Sequence, residues 1–372
     1  MCFKRKDAPM ISFMRILRQV CLLLVYTILS HVKKKNKIVL CSSDNSQVYQ
    51  NISSLYTILH DEDNVINISD TTCEFIEEFG RILTIAEASV LVVETSFRYV
   101  SQFPISSKTQ VVYCGHGGGA YKKMGFAALQ QNSSNMEQMR VKRINGKYSY
   151  ILCSSEKLIN FITENYKLSS SRILPFGIPR TDILYNLDIN SIREEFFKGF
   201  PECKGRKLVL YAPTFRTKNK RRVGSFFLED DELPNDFFKE YCLLFRKHPS
   251  LKNISIPSRW IDVSSLRPEM CLAVSDLLVS DYSSIIFDYS FFHRPVFLLA
   301  PDTEEYNRTQ RELWFSPQEL VGEMHCKSTE EFLQKLKHAQ PCNLWERFMD
   351  SCDGHSSERI SRWLIQLAKE KR

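Results

Sequence analysis

Short apolar runs that each stop at a polar or glycine-bearing turn constrain this chain more than any other feature. "KIVLCSS" (37–43), "SVLVVET" (89–95), "TQVVYCGH" (109–116) and "YSYILCSS" (148–155) are too short for core helices and apolar on both faces, as strands buried in a parallel sheet are. Between them, 47–60, 72–83 and 155–166 read as amphipathic helices, and "SSEKLINFITENY" opens with a capping serine. A second series, "RKLVLYAPTF", "YCLLFRKHP", "SDLLVSD" and "RPVFLLAPD", follows from about residue 205. The 372 residues exceed what one core usually serves, so two Rossmann-like α/β units in tandem are expected, at 36–190 and 191–372. A link at about 176–205 carries "FGIPRTD" and a charged helix. Ligands of open parallel sheets sit beyond the carboxyl ends of the strands. The glycine, histidine and DYSS clusters stand at such ends, which puts the expected active site in a cleft between the units.

Residues 1–35 form a separate segment. Their apolar run, 20–29, is shorter than the roughly 20 residues of a spanning helix. As a helix, Ile11, Met14, Leu17, Cys21, Leu24 and Ile28 share one face, with Arg15 and Arg18 off it, which suits an amphipathic helix lying on an anionic membrane surface. A buried first helix is the other reading. The net charge of +7 is spread over several clusters, which fits phosphate-rich or membrane partners but not nucleic acid.

Twelve cysteines include no CxxC pair, which excludes a zinc framework, and most lie in apolar runs. They read as small buried hydrophobes in a reducing compartment. "EDDE" (229–232) reads as a solvated acidic loop, with no protein-bound structural metal expected.

The stretch "YCGHGGGAYKKMG" (113–125) admits three chemistries. A dinucleotide fingerprint on Gly115, Gly117 and Ala120 requires a helix and then a strand ending in an acidic residue, and "FAALQQNSSNMEQMRVKRINGK" supplies no such strand. An esterase oxyanion turn requires a G-x-S-x-G nucleophile, and the chain has none. The third reading is His-Gly-x-x-x-Lys-x-x-Gly, with His116 able to take a proton near neutral pH, Gly117 admitting close approach, and Lys122 or Lys123 supplying charge.

Downstream, strand-like runs end at Ala212-Pro213-Thr214 with Arg216 beyond, at Arg246-Lys247-His248-Pro249, and at Asp281-Tyr282-Ser283-Ser284. Ser283 and Ser284 open a helix, where hydroxyls and free amides favour an anion, and Asp288 shares the face of Ser284.

His116-Gly117 with the lysines and Gly125, "YAPTFR" (211–216), "RKHP" (246–249), "SDYSSIIFD" (280–288), "RPVFLLAPD" (294–302) and "SRILPFGIPRTDIL" together resemble the CDP-glycerol glycerophosphotransferases, the teichoic-acid primases and polymerases and related capsule enzymes. The resemblance runs from about residue 37 to 340. It implies a GT-B fold, an acceptor-side N-terminal domain, a C-terminal domain that binds CDP-glycerol, and peripheral attachment to the cytoplasmic membrane face. It further implies His116 as general base on the acceptor hydroxyl, with Gly117, Lys122 and Lys123 in the acceptor loop. His248, Arg216, Arg246, Ser283 and Ser284 would hold the donor phosphates and nucleotide, His248 alternatively protonating the leaving phosphate, and Asp288 would contact the glycerol. CDP-glycerol is the implied substrate, a lipid-linked or glycan hydroxyl the acceptor and CMP the product. No tightly bound cofactor is implied, and a divalent metal requirement stays open.

Two departures stand out. The usual His-Gly-Thr is His116-Gly117-Gly118 here, and Glu312 in "YNRTQRELWF" takes the place of a glycine. CDP-ribitol as donor, a GT-B nucleotide-sugar glycosyltransferase, and a membrane-associated binding protein without catalysis are the competing readings.

Overall fold

The computed structural model describes residues 20–30, 35–42, 50–69, 75–95, 97–115, 117–129, 133–218, 221–249, 251 and 254–370. The chain divides into two compact units. The first comprises Met1–His116, Asn135–Leu152 and Ser357–Arg372, and the second Gly117–Ser134 and Cys153–Ser356.

In the first unit, strands β1 (Lys35–Ser42), β2 (Val65–Ser69), β3 (Ala88–Val93), β4 (Gln110–Tyr113) and β5 (Tyr150–Leu152) pair in parallel in the order β2-β1-β3-β4-β5. Every residue of β3 is buried, as its unbroken apolar sequence requires of a strand covered on both faces. Edge strand β2 escapes a reading by apolar runs because "VINIS" carries an asparagine and buries only its last two residues. Helix Asn51–Leu59 buries Ile52, Leu55 and Leu59 at helical spacing. Its first residue, Asn51, is fully buried and donates to the Gly115 carbonyl at 2.7 Å, fixing the chain just beyond β4. The helix over residues 20–29 buries Leu22 and Tyr26, while Leu24 and Ile28 are 60% and 72% exposed. The remainder of the N-terminal segment lies outside the described residues. No helix among the described residues is long and apolar enough to cross a membrane.

In the second unit, β6 (Ile173–Leu174) accepts from the Cys153 amide. Strands β7 (Lys207–Tyr211), β10 (Tyr241–Phe245), β11 (Ile261–Asp262), β12 (Leu277–Ser280), β13 (Val296–Leu299) and β14 (His325–Cys326) form a parallel sheet in the order β11-β10-β7-β12-β13-β14. Between them, β8 (Phe215–Lys218) and β9 (Arg221–Gly224) make a separate antiparallel hairpin. The order reverses at β7, since β10 and β11 extend the sheet to one side and β12 starts the other. Parallel sheets bind ligands at such a switch point. Here it lies at the carboxyl ends of β7 and β12, where Ala212-Pro213-Thr214 and Asp281-Tyr282-Ser283-Ser284 begin.

The cysteines need one correction. Cys203 and Cys242, read from sequence as separate thiols, have Cα atoms 5.6 Å apart and are joined as a disulfide, because the turn Pro201–Cys203 packs against β10. Cys41, Cys114, Cys153, Cys271, Cys326 and Cys352 are buried free thiols.

Candidate active site

The carboxyl ends of β7 and β12 are stitched together by side chains. Ser280 donates its hydroxyl to the Ala212 carbonyl at 2.7 Å, and the Asp281 carboxylate accepts from the Thr214 amide at 2.9 Å and the Thr214 hydroxyl at 2.8 Å. Arg216, on β8, donates from Nη1 to Asp281 Oδ2 and Thr214 Oγ1, from Nε to Asp302 Oδ2 and from Nη2 to Asp302 Oδ1. Four of the five guanidinium donors are thereby committed. Its guanidinium carbon lies 5.1 Å and 4.8 Å from the ring centres of Tyr282 and Tyr306, which stack at 3.8 Å, and the Tyr282 hydroxyl donates to Asp302. Burial alone would lower the pKa of Arg216, but Asp281 and Asp302 reverse that and raise it, so the cation is permanent. This residue, expected on the donor phosphates, is built into the floor beneath the turn.

Ser283 and Ser284 stand half-buried on that floor. The helix they precede, Ile285–Tyr289, is only five residues long, so a helix dipole contributes little. Ser283 Oγ accepts from the Ile285 amide at 3.3 Å, whereas the Ser284 hydroxyl makes no cap bond. Asp288, on the same helix, is buried and accepts at both carboxylate oxygens, 2.9 and 2.8 Å, from Nη2 of Arg180. Desolvation raises the Asp288 pKa, with Arg180 working against that rise. Arg180 comes from the "GIPRTD" segment. It enters through the tight turn at Gly177, which must be glycine because its φ is +82° and a Cβ there would lie 2.2 Å from Ser356 Oγ.

The glycine loop packs onto these residues. Gly119 has a φ of +72°, and a Cβ there would lie 2.3 Å from the Phe287 ring. Its amide donates to Ser154 Oγ, which in turn donates to the Phe348 carbonyl. Gly117 lies beside Arg180 and Ser284, each 3.4 Å from where its Cβ would be. His116 lies outside the described residues.

The two lysines separate cleanly. Segment 121–123 runs antiparallel to 312–314, with the Lys123 amide donating to the Glu312 carbonyl and the Trp314 amide to that of Tyr121. Lys123 Nζ meets Glu312 Oε1 at 2.5 Å and lies over Trp314, as a surface ion pair. Lys122 Nζ turns the other way, 5.6 Å from the Tyr306 ring centre, beside the arginine floor. Desolvation first, with Arg311 and Arg216 adding, lowers its pKa to about 8 against the pull of Asp281.

The family model described as CDP-Glycerol:Poly(glycerophosphate) glycerophosphotransferase matches residues 23–366. The chain belongs to this family. It is 26% identical over 306 residues to a teichoic acid ribitol-phosphate primase of Bacillus spizizenii, covering 77% of each chain. Against a glycerol-phosphate primase of the same organism it is 28% identical over 296 residues, covering 78% of this chain and 76% of that protein. The structure of the wall teichoic acid polymerase TagF superposes with a TM-score of 0.73 at 18% identity over 99% of both chains, which gives the fold as α/β of the GT-B-like type.

Both departures from the glycerophosphotransferase pattern have local partners. Glu312 is the counter-ion of Lys123. At Gly118 a Cβ would lie 2.4 Å from the Sδ and Cε of buried Met349, so methionine fills that space. The remaining expected donor residues lie just beyond β10. Arg246 donates from Nη1 to the Leu266 and Val263 carbonyls and to Cys271 Sγ, tying down the loop after β11. Half-buried His248 sets its ring edge-on to Phe215 at 4.7 Å. The acidic loop 229–232 proves partly structural: Asp230 accepts from Arg259 and Trp260 on the wall of a cavity of about 320 Å³. Among the described residues, no group of three His, Cys, Asp or Glu could hold a metal ion.

Sequence reasoning missed Arg180, Asp281, Asp302 and Met349. The arginine sat in a quoted motif, and Asp281 opens "DYSS".

Proposed function

We propose that the protein transfers glycerol phosphate from CDP-glycerol to a hydroxyl of a membrane-linked or cell-surface glycan, releasing CMP, in synthesis of a teichoic-acid-like or capsular polymer. The observation that carries this reading is the open Ser284 hydroxyl beside Arg180 and Gly117, at the switch point of the second sheet. Ser283, Ser284 and His248 hold the donor phosphates, Lys122 adds charge, and His116 takes the acceptor proton. Arg216 and Arg246 shape the site from below rather than bind phosphate, and Lys123 fixes the loop through Glu312. Charge stabilisation and positioning supply most of the catalysis, as in other phosphoryl transfers. Ribitol phosphate is the second reading, favoured by the relatives named as ribitol-phosphate primase and, at 26% identity, as ribitol-phosphate polymerase TarL of Staphylococcus aureus.

Calorimetric titration with CDP-glycerol, CDP-ribitol and a UDP-sugar tests this, since binding needs no acceptor. The expected result is cytidine-selective binding that favours CDP-glycerol and is lost in Ser284→Ala. Tighter binding of CDP-ribitol selects the second reading, and binding of the UDP-sugar alone sinks both. The donor affinity should also fall as pH rises through about 8, where Lys122 loses its proton, and Lys122→Met should remove that dependence.

Attachment to the cytoplasmic membrane face is proposed from the exposed Leu24 and Ile28, and from helix Asn135–Asn145. That helix buries no residue and joins exposed Met136 and Met139 to Arg140, Lys142 and Arg143. Co-sedimentation with phosphatidylglycerol vesicles, but not with phosphatidylcholine alone, is expected, reduced about tenfold in a Leu24→Asp, Ile28→Asp variant. Equal sedimentation of variant and parent would rule the helix out as an anchor.

A further inference from the structure

Resting on the polyol-phosphate reading above, we propose that Arg180 is a catalytic residue. Its guanidinium and the Ser284 hydroxyl hold the phosphoryl group being transferred, and Gly117 is the opening through which that group reaches them.

Gly117 is a glycine that the fold does not need. Of the three consecutive glycines, Gly118 and Gly119 are dictated by contact, since a Cβ at either would meet Met349 at 2.4 Å or Phe287 at 2.3 Å, and Gly119 also by its φ of +72°. Gly117 has neither reason. Its φ lies outside the left-handed region, and its nearest neighbours stand at an ordinary contact distance of 3.4 Å from where a Cβ would be. Those neighbours are Nη2 of Arg180, which also donates to both Asp288 oxygens, and Oγ of Ser284, so two polar groups stand on the same side of the loop backbone. A methyl group would fit there and hold an incoming oxygen away from both groups. A glycine lets that oxygen approach them more closely.

The second observation is the pairing behind that point. Arg180 and Asp288 are 8% and 6% exposed at their side chains, and both Asp288 oxygens accept from the same Nη2. A buried pair of this kind is a poor source of stability, because desolvation offsets much of the attraction. It does hold a planar cation in one orientation, the geometry suited to phosphate oxygens. An ionised Asp288 repels phosphate, so it stands behind the arginine as a positioning residue. This replaces the polyol contact expected from the sequence.

In the step so served, the acceptor oxygen bonds to the phosphorus that carries the polyol, and its proton passes to the base. The bond from that phosphorus to the bridging oxygen breaks, and CMP leaves with the electron pair. Arg180 and Ser284 face the non-bridging oxygens, where negative charge is concentrated, and donors placed there before reaction stabilise it without reorganisation.

The test compares CMP, which lacks the transferred phosphoryl, with CDP-glycerol and CDP-ribitol by calorimetry on the full chain. Gly117→Ala and Arg180→Lys are each expected to weaken the preferred CDP-polyol by about tenfold or more while CMP affinity stays within about twofold. Asp288→Asn, which keeps the cation but loosens its hold, should fall between them and wild type. A merely structural arginine would weaken CMP and CDP-polyol alike. That outcome, or unchanged CDP-polyol affinity in both variants, overturns the proposal. Should Arg180→Lys fail to fold, Gly117→Ala decides, since its methyl meets no clash. Wild-type protein that binds CMP but neither CDP-polyol more tightly overturns the polyol-phosphate reading itself, and the Arg180 assignment with it.

Discussion

Arg216→Met is expected to destabilise the protein by about 3–5 kcal/mol and to abolish donor binding, because it leaves buried carboxylates without their counter-ion. Asp281 is 2% exposed at its side chain and Asp302 19%, and both accept from the one guanidinium. The same carboxylates carry the Thr214 hydrogen bond that joins the ends of β7 and β12 and the Tyr282 hydrogen bond that joins the turn after β12 to the end of β13. Loss of the cation therefore loosens the turn that presents Ser283 and Ser284. Arg216→Lys keeps a charge but not the fork that serves both carboxylates, so an intermediate loss is expected. Urea unfolding and calorimetry with CDP-glycerol separate the possibilities. A variant as stable as wild type that no longer binds donor would return Arg216 to the phosphate-binding role its motif suggested. A variant that is stable and still binds would show that the floor is dispensable. As a reference, Glu312→Gln removes a more exposed pair with Lys123 and should change stability by no more than about 1 kcal/mol.

What the sequence made legible was the class of site and its place in the sheet. Apolar runs at 207–211 and 277–280 end in residues with chemistry, and a parallel sheet has one end at which such residues can serve a ligand. What it hid was which charged groups face the ligand and which face each other. Arg216 and Asp288 sit in recognisable motifs, but their partners, Asp302 and Arg180, are 86 and 108 residues away. No periodicity links such positions, so an arginine in a motif reads the same whether its donors are open or already committed. The two lysines illustrate the same limit. Adjacent in sequence, they point to opposite sides of a short extended segment, and only the antiparallel partner 312–314 sorts Lys123 to Glu312 and Lys122 to the aromatic floor. Departures from a family pattern were also unreadable singly. Gly118 makes sense with Met349, and Glu312 with Lys123, and in each case the second residue lies far along the chain.

Gly119→Ala should be the most damaging single methyl group that can be added to the glycine loop. The φ of +72° is left-handed, which costs a non-glycine residue about 1–2 kcal/mol. The new Cβ would also lie 2.3 Å from the ring of Phe287, a fully buried side chain on the helix that carries Asp288, and such overpacking costs typically about 1–3 kcal/mol. Together these predict a loss of about 2–5 kcal/mol, against a change within about 0.5 kcal/mol for Gly117→Ala two residues earlier. The two contributions can be separated. Phe287→Leu in the Gly119→Ala background relieves the steric part but leaves the backbone part, so a double-mutant cycle measured by urea unfolding should return a favourable coupling of about 1 kcal/mol or more. A coupling near zero would mean that the loop yields around the methyl group and that only the backbone conformation demands glycine. In that case the ring of Phe287 would not fix the height of the loop, and Gly117 would be held over Ser284 by the Gly119 amide on Ser154 instead, a contact that Ser154→Ala would then be expected to break.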